Sequence, residues 1–152
     1  VTTGETWGFW QKYPSLAEDC DVIGAHILPY WDRYPVDNAV NGVAEQVEEL
    51  QRLFPGKKIV IAETGWPSRG ETRGAAVPSP GTQQSFLDTF IASPVARAHD
   101  YYIVEAFDQP WKVKFEGEVG AGWGLFDVVG KPKVTFSPQA HPARADAAAP
   151  LP

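Results

Sequence analysis

Lys58-Ile59-Val60-Ile61-Ala62-Glu63-Thr64-Gly65-Trp66-Pro67-Ser68 decides how the rest of the chain is read. Ile59 to Ala62 is an unbroken, mostly β-branched apolar run. It delivers one carboxylate, Glu63, before Gly65, Pro67 and Ser68 turn the chain. Such a run reads as a strand buried on both faces, as in a parallel sheet. A charge at the mouth of that strand is costly unless it is paired, hydrogen-bonded or engaged in chemistry. Two readings of Glu63 therefore stand: a strand-end residue held in a salt bridge, or a working carboxylate. Trp66 offers an apolar face on which a sugar ring can lie.

Upstream, Asp21 to Leu28 is a second buried strand, ending in Pro29-Tyr30-Trp31-Asp32. His26 within it reads as a hydrogen-bonded core residue, because no second His or Cys lies at metal-ligand spacing. Between the two strands, Val40, Val43, Ala44, Val47, Leu50 and Phe54 fall on one helical face, with Glu45, Glu48, Glu49 and Arg52 opposite. Asp37 is the expected cap and Pro55-Gly56 the stop. Strand, helix and strand make a βαβ unit with parallel strands.

Downstream, Arg69 to Gly81 is a long polar loop. Its Arg69, Glu71 and Arg73 either line a cleft or stay as solvated charges, the second being the favoured reading. Thr82 to Ile91 forms a further amphipathic helix, and Asp100 to Lys112 a strand with a polar, aromatic exit containing Glu105 within the strand. At the start, Val1 to Thr3 reads as the end of a strand cut short, with Gly4-Glu5-Thr6-Trp7 as its exit loop. Glu5 then repeats the placement of Glu63, either as an exposed acid or as a ligand contact. Ser15 and Glu18 have capping-box spacing. The Pro- and Ala-rich stretch 137–152 reads as a tail or linker after a domain at 1–136.

Composition bounds the function. The 152 residues carry a net charge of −6 with no basic stripe, so nucleic acid is excluded as an expected partner. Six Trp in a chain that is 12% aromatic suit carbohydrate handling, although an ordinary core also uses aromatics. Cys20 is the single cysteine, so neither an internal disulfide nor a Cys-rich metal site is expected.

The string Glu63-Thr64-Gly65-Trp66-Pro67-Ser68 resembles the nucleophile signature of glycoside hydrolase family 17, the β-1,3-glucan hydrolases and transglycosylases. In that family the motif ends the seventh strand of an eight-stranded β/α barrel. His26-Ile27-Leu28-Pro29-Tyr30-Trp31 is similar to the sixth-strand exit, in a form nearer bacterial than plant members. Ala106-Phe107-Asp108-Gln109-Pro110-Trp111-Lys112 is similar to the eighth. Gly122-Trp123-Gly124-Leu125-Phe126-Asp127 resembles the closing segment, followed in the family by a turn and a terminal helix.

The resemblance implies an α/β fold of the (β/α)8 TIM-barrel type, with residues 1–136 covering about strands five to eight. A full barrel takes about 250 residues, so the N-terminal half of the same barrel is an expected partner. Open sheet edges make self-association the other expectation. The resemblance further implies a retaining reaction on a β-glucan, most specifically β-1,3-glucan, with Glu63 as nucleophile. Tyr30 would donate a hydrogen bond to that nucleophile or to substrate, and Trp31 and Trp66 would stack on glucose rings. Asp108 and Lys112 match positions that contact sugar hydroxyls, unless they simply pair with each other. Gln109 stands where plant members carry an acid, Trp111 is added, and Glu5 joins the substrate-binding set.

The family's acid/base lies in an Asn-Glu motif ending strand four. No Asn-Glu dipeptide occurs in this sequence, so that residue is expected upstream, and neither Glu5 nor Glu105 matches its motif. No cofactor and no metal are implied, and the expected location is outside the cytoplasm. A non-catalytic glucan-binding half-barrel and an inactive fragment remain as alternatives.

Overall fold

The apolar run through Ile59 becomes the third of four parallel strands. The computed structural model describes residues 1–136; the stretch read as a tail lies outside the described residues. The elements run β1 (Gly4–Thr6), α1 (Trp7–Lys12), β2 (Val22–His26), α2 (Val36–Leu53), β3 (Lys58–Thr64), α3 (Pro80–Ala92), α4 (Pro94–Ala98), β4 (Asp100–Ile103) and α5 (Val113–Glu116). Short 3-10 turns cover Pro14–Asp19, Pro110–Lys112 and Glu118–Ala121. The sheet order is β1-β2-β3-β4, and every pairing is parallel. Sequential parallel order with intervening helices is the repeat of consecutive βα units. It also brings the carboxyl ends of all four strands to one edge.

Burial follows the strand period. Ile23 and Ala25 of β2 and Ile59 and Ile61 of β3 are buried in one core with Val43, Val47 and Leu50 of α2 and Phe86, Leu87 and Phe90 of α3. Val60 and Ala62, which alternate with them, are only half-buried. Full burial of both strand faces, expected from the apolar run, is thus met on the helix-covered face alone.

Several local expectations need correction. The first strand is Gly4–Thr6, not Val1 to Thr3, so Glu5 lies within a strand rather than in a loop beyond it. The Pro14–Asp19 turn is preceded by Tyr13 with no side-chain cap, so Ser15 and Glu18 form no capping box. Pro35 precedes α2 as its N-cap; Asp37 sits inside the first turn, where a carboxylate favours the helix dipole instead of closing its end. Glu105 lies just past β4, not within it. Among the described residues no helix follows Asp127, and no helix is long and apolar enough to cross a membrane.

Helix α3 starts earlier than its apolar pattern suggests. Ser79 caps it, its Oγ accepting from the Thr82 amide at 3.0 Å, and Pro80 occupies the first turn. Serine at the cap followed by proline is a start signal in its own right. Ser79→Ala should lower unfolding stability by about 1 kcal/mol, read from urea denaturation. Unchanged stability would mean that the cap contributes nothing.

Candidate active site at the carboxyl ends of the strands

Glu63 is the second-last residue of β3, and its side chain is 39% exposed at the strand-end edge. The residues that follow it do structural work. A Cβ on Gly65 would collide with the carbonyl oxygen of Val104, so glycine there lets the β4 exit pass close to the turn. Ser68 donates from both its amide and its hydroxyl to the Gly122 carbonyl, at 2.8 and 3.0 Å. Gln83 of α3 reaches the Trp66 and Gly124 carbonyls at 3.0 and 3.2 Å. Ser68 directly, and the Trp66 carbonyl through Gln83, therefore fasten the β3 exit to Gly122 and Gly124, while the Glu63 side chain stays partly exposed.

Trp66 is 1% exposed, stacks on Phe86 and donates to Thr82 Oγ1 at 3.1 Å. It offers no face to a sugar, contrary to expectation. Tyr30 is likewise 2% exposed and donates to the Glu71 carbonyl at 2.8 Å, so its hydroxyl is spent on the long loop and not on Glu63. Burial pushes its phenol above the ordinary value, with nearby Arg73 opposing. Trp31 is half-buried; its ring packs on Tyr30 and Trp123 and carries the Arg73 guanidinium 5.1 Å from its centroid. A sugar would have to displace Arg73 to stack on that face. Arg69 donates to the Ala121 carbonyl at 2.9 Å. Arg69 and Arg73 are both exposed, in line with the solvated charges expected, and each also ties the loop to a neighbouring carbonyl, Arg69 to Ala121 and Arg73 to Trp31.

The β4 exit holds two ion pairs, and they are not the expected one. Lys112 pairs with Glu105 at 2.8 Å, and Lys133 pairs with Asp108 at 2.5 Å. Asp108 also accepts from the Gly124 amide at 2.9 Å. Gln109 donates to Glu105, and its own carbonyl accepts from Trp111 Nε1 at 2.7 Å. This relay runs from the 59% exposed Trp111 to the 11% exposed Glu105. The other oxygen of Glu105, Oε1, is buried with no hydrogen-bond partner in the described structure. Gln109, Trp111 and Lys112 thus come together around Glu105, a hub the sequence reading did not anticipate. Glu5 is half-buried on β1 and makes no side-chain ion pair or hydrogen bond among the described residues.

One neighbour of Glu63 escaped the sequence reading. His26 ends β2, is partly exposed rather than in the core, and places Nδ1 3.4 Å from Glu63 Oε2. The available signal was positional: both residues end adjacent strands. No group of three or more His, Cys, Asp or Glu among the described residues is arranged to hold a metal ion.

Comparison with known proteins places this geometry. The model of the BtgE/BtgC glycoside hydrolase domain matches residues 1–124. The probable beta-glucosidase btgE of Neosartorya fischeri is 36% identical over 129 residues, covering 84% of this chain and 23% of that protein. The cell surface mannoprotein MP65 of Candida albicans is 31% identical over 115 residues, covering 74% of this chain and 30% of that protein. Both relatives are fungal. The family 17 β-1,3-glucanosyltransferase of Rhizomucor miehei superposes with a TM-score of 0.77 at 27% identity, over 89% of this chain and 49% of that one. An active-site mutant of that enzyme, solved in complex with laminaritriose, gives the same TM-score at 26% identity. The chain thus spans about a quarter of the length of these curated relatives and about half of the solved structure.

Proposed function

The chain belongs to the BtgE/BtgC glycoside hydrolase domain family, of the family 17 type, and from that premise we propose that it supplies the nucleophile half of a retaining β-glucan glycosidase or transglycosylase. The observation that carries the reading is Glu63: a solvent-reachable carboxylate at the carboxyl end of a parallel strand, where barrel enzymes keep their chemistry. The four strands correspond to strands five to eight, and residues 1–136 form the C-terminal half-domain.

In the proposed reaction an oxygen of Glu63 attacks carbon one of a β-linked glucose. The C1–O bond breaks, and its electron pair goes to the leaving oxygen, which takes a proton from a second carboxylic acid. Water or another glucan hydroxyl then attacks carbon one of the glucosyl ester; the C1–O bond to Glu63 breaks, its electron pair returns to the Glu63 carboxylate, and the attacking hydroxyl's proton goes to the second carboxylate. The family resemblance implies an acid/base in an Asn-Glu motif that this sequence lacks, and we assign that residue to sequence upstream of Val1; neither Glu5 nor Glu105 matches the motif. The substrate is a β-1,3-glucan, the class of the laminaritriose held by the Rhizomucor relative. The working location is outside the cytoplasm, in keeping with the cell surface relative.

Mass spectrometry of laminaritriose incubations tests this. Shorter products mean hydrolysis and longer ones transglycosylation; an unchanged trimer that quenches Trp fluorescence means a glucan-binding module. Neither products nor binding, in a protein that also carries the upstream sequence, would sink the proposal.

Of the three tryptophans expected to meet a sugar, Trp31, Trp66 and Trp111, Trp111 is the most exposed, at 59%. Trp111→Ala should weaken laminaritriose binding by about 10-fold, at the upper end of the roughly 0.5–1.5 kcal/mol of an aromatic stacking contact, while leaving the melting temperature within a few degrees. Unaltered affinity in a titration would remove Trp111 from the binding surface.

A further inference from the structure

We propose that His26 is a positioning residue for Glu63, acting through an Nδ1–H donated to the carboxylate; this rests on the function proposed for Glu63. Three independent features of the fold converge on the imidazole.

The first is register. Ala25 pairs with Ile61, but the next residue, His26, pairs with Glu63, so one step along β2 matches two along β3. Without that shift His26 would lie opposite Ala62, and successive side chains point to opposite faces. The bulge puts His26 and Glu63 opposite each other on a common face, as bulges beside active sites commonly re-aim a side chain. The Ile27 amide then donates to the Glu63 carbonyl at 2.8 Å, fixing the backbone beneath the carboxylate.

The second is space. Gly4 on β1 pairs with Gly24 of β2, and a Cβ on it would stand 2.6 Å from His26 Nε2 and 3.3 Å from its Cε1. The ring occupies the place that any other residue at position 4 would take. Its Nε2 edge is turned to β1 and its Nδ1 edge to β3.

The third is the contact itself, Nδ1 to Oε2 at 3.4 Å. This is beyond the roughly 2.7–3.2 Å of a formed N–H···O bond, so the bond would close in the loaded complex, as catalytic hydrogen bonds that are long in unliganded enzymes commonly do. Tyr30, the residue expected to donate to the nucleophile, is bound to the Glu71 carbonyl instead. His26 fills that role. In a transfer reaction it would hold the attacking oxygen in line with carbon one, where a misplacement of about 1 Å can cost about 100-fold in rate.

The test has two arms. Long-range 15N–1H NMR on the 15N-labelled chain reads which ring nitrogen of His26 carries a proton at pH 8, with His26→Asn identifying the signals. The proposal expects Nδ1 protonated, and Glu63→Ala to shift the proton toward Nε2. An Nε2–H ring in the parent, or a ring unaffected by Glu63→Ala, overturns it. This arm needs no activity, so it stands even where Glu63 proves not to be the nucleophile.

The second arm measures kcat and KM in the protein whose glucan turnover depends on Glu63. His26→Ala should lower kcat by roughly 10–100-fold with KM within about threefold. His26→Asn should recover most of the loss, because its amide nitrogen lies where Nδ1 lay. His26→Gln should not, because its nitrogen reaches toward the Nε2 position instead. A role in filling space alone would favour the larger Gln, so Gln matching or exceeding Asn overturns the assignment. Turnover indifferent to Glu63 would instead sink the proposed function and leave the NMR result standing.

Discussion

Glu63→Gln should abolish glucan turnover by at least about three orders of magnitude without unfolding the protein. The amide has nearly the shape of the carboxylate but neither its charge nor its capacity to form a glucosyl ester. Losing a covalent nucleophile removes a whole reaction channel. Three decades in rate correspond to about 4 kcal/mol of barrier at about 1.4 kcal/mol per decade. Stability should move by no more than about 0.5 kcal/mol, as for surface substitutions generally, since the side chain is 39% exposed. Glu63→Ala with azide separates a nucleophile from an acid/base. A small anion entering the space left by the nucleophile attacks an aryl β-glucoside from the opposite face to the leaving aryloxide. The aryloxide departs without needing a proton, and the product is an α-glucosyl azide. A β-linked azide would mean that Glu63 is the acid/base, and activity within a few-fold of the parent in Glu63→Gln would mean that it is neither.

What the sequence revealed and what it hid have physical reasons. The strand, helix, strand order was legible because Val40, Val43, Val47 and Leu50 keep helical spacing and Ile59 to Ala62 run unbroken. Those patterns are imposed by burial, which acts on each element separately. The short first strand was misplaced because Gly4-Glu5-Thr6 has no apolar pattern; only its pairing with Gly24, Ala25 and His26 defines it. The site residues split along the same line. The strand-end placement of Glu63 was legible from its position at the end of an apolar run. Whether Tyr30, Trp31 and Trp66 face solvent or core was not, because all three are aromatic and either fate suits them. Contacts from distant segments decide: Glu71 takes the Tyr30 hydroxyl, Arg73 covers Trp31, and Phe86 with Thr82 encloses Trp66. Lysine partners were misread for a similar reason. Lys112 and Asp108 are close in sequence, but a 3-10 turn at Pro110–Lys112 aims the ammonium back at Glu105, and Lys133 arrives from the far end of the domain to take Asp108. The His26–Glu63 contact depends on a register shift between two strands, which neither strand's own residues announce.

The burial of Trp66 carries the second large prediction. Trp66→Ala should destabilise the fold by about 3–5 kcal/mol, the range for a large aromatic deleted from a packed core. Against a total stability of about 5–15 kcal/mol, that lowers the melting temperature by roughly 10 °C or more. The indole stacks on Phe86 with centroids 5.9 Å apart, meets the Tyr30 ring edge-on at 6.2 Å, and donates to Thr82 Oγ1, a residue of the capped first turn of α3. Removing it opens a cavity directly beneath the turn that presents Glu63, so the carboxylate should lose its fixed position along with the core. Trp66→Phe keeps an apolar ring against Phe86 while deleting the N–H. It should cost less, about 1–3 kcal/mol, from lost volume and a hydrogen bond left unmade. Urea denaturation of both variants, followed by laminaritriose titration at a temperature where each is folded, separates the two roles an aromatic can have here. A core residue gives ordered losses of stability, Ala beyond Phe. A sugar platform would give the opposite pattern: Trp66→Ala as stable as the parent, with glucan affinity gone.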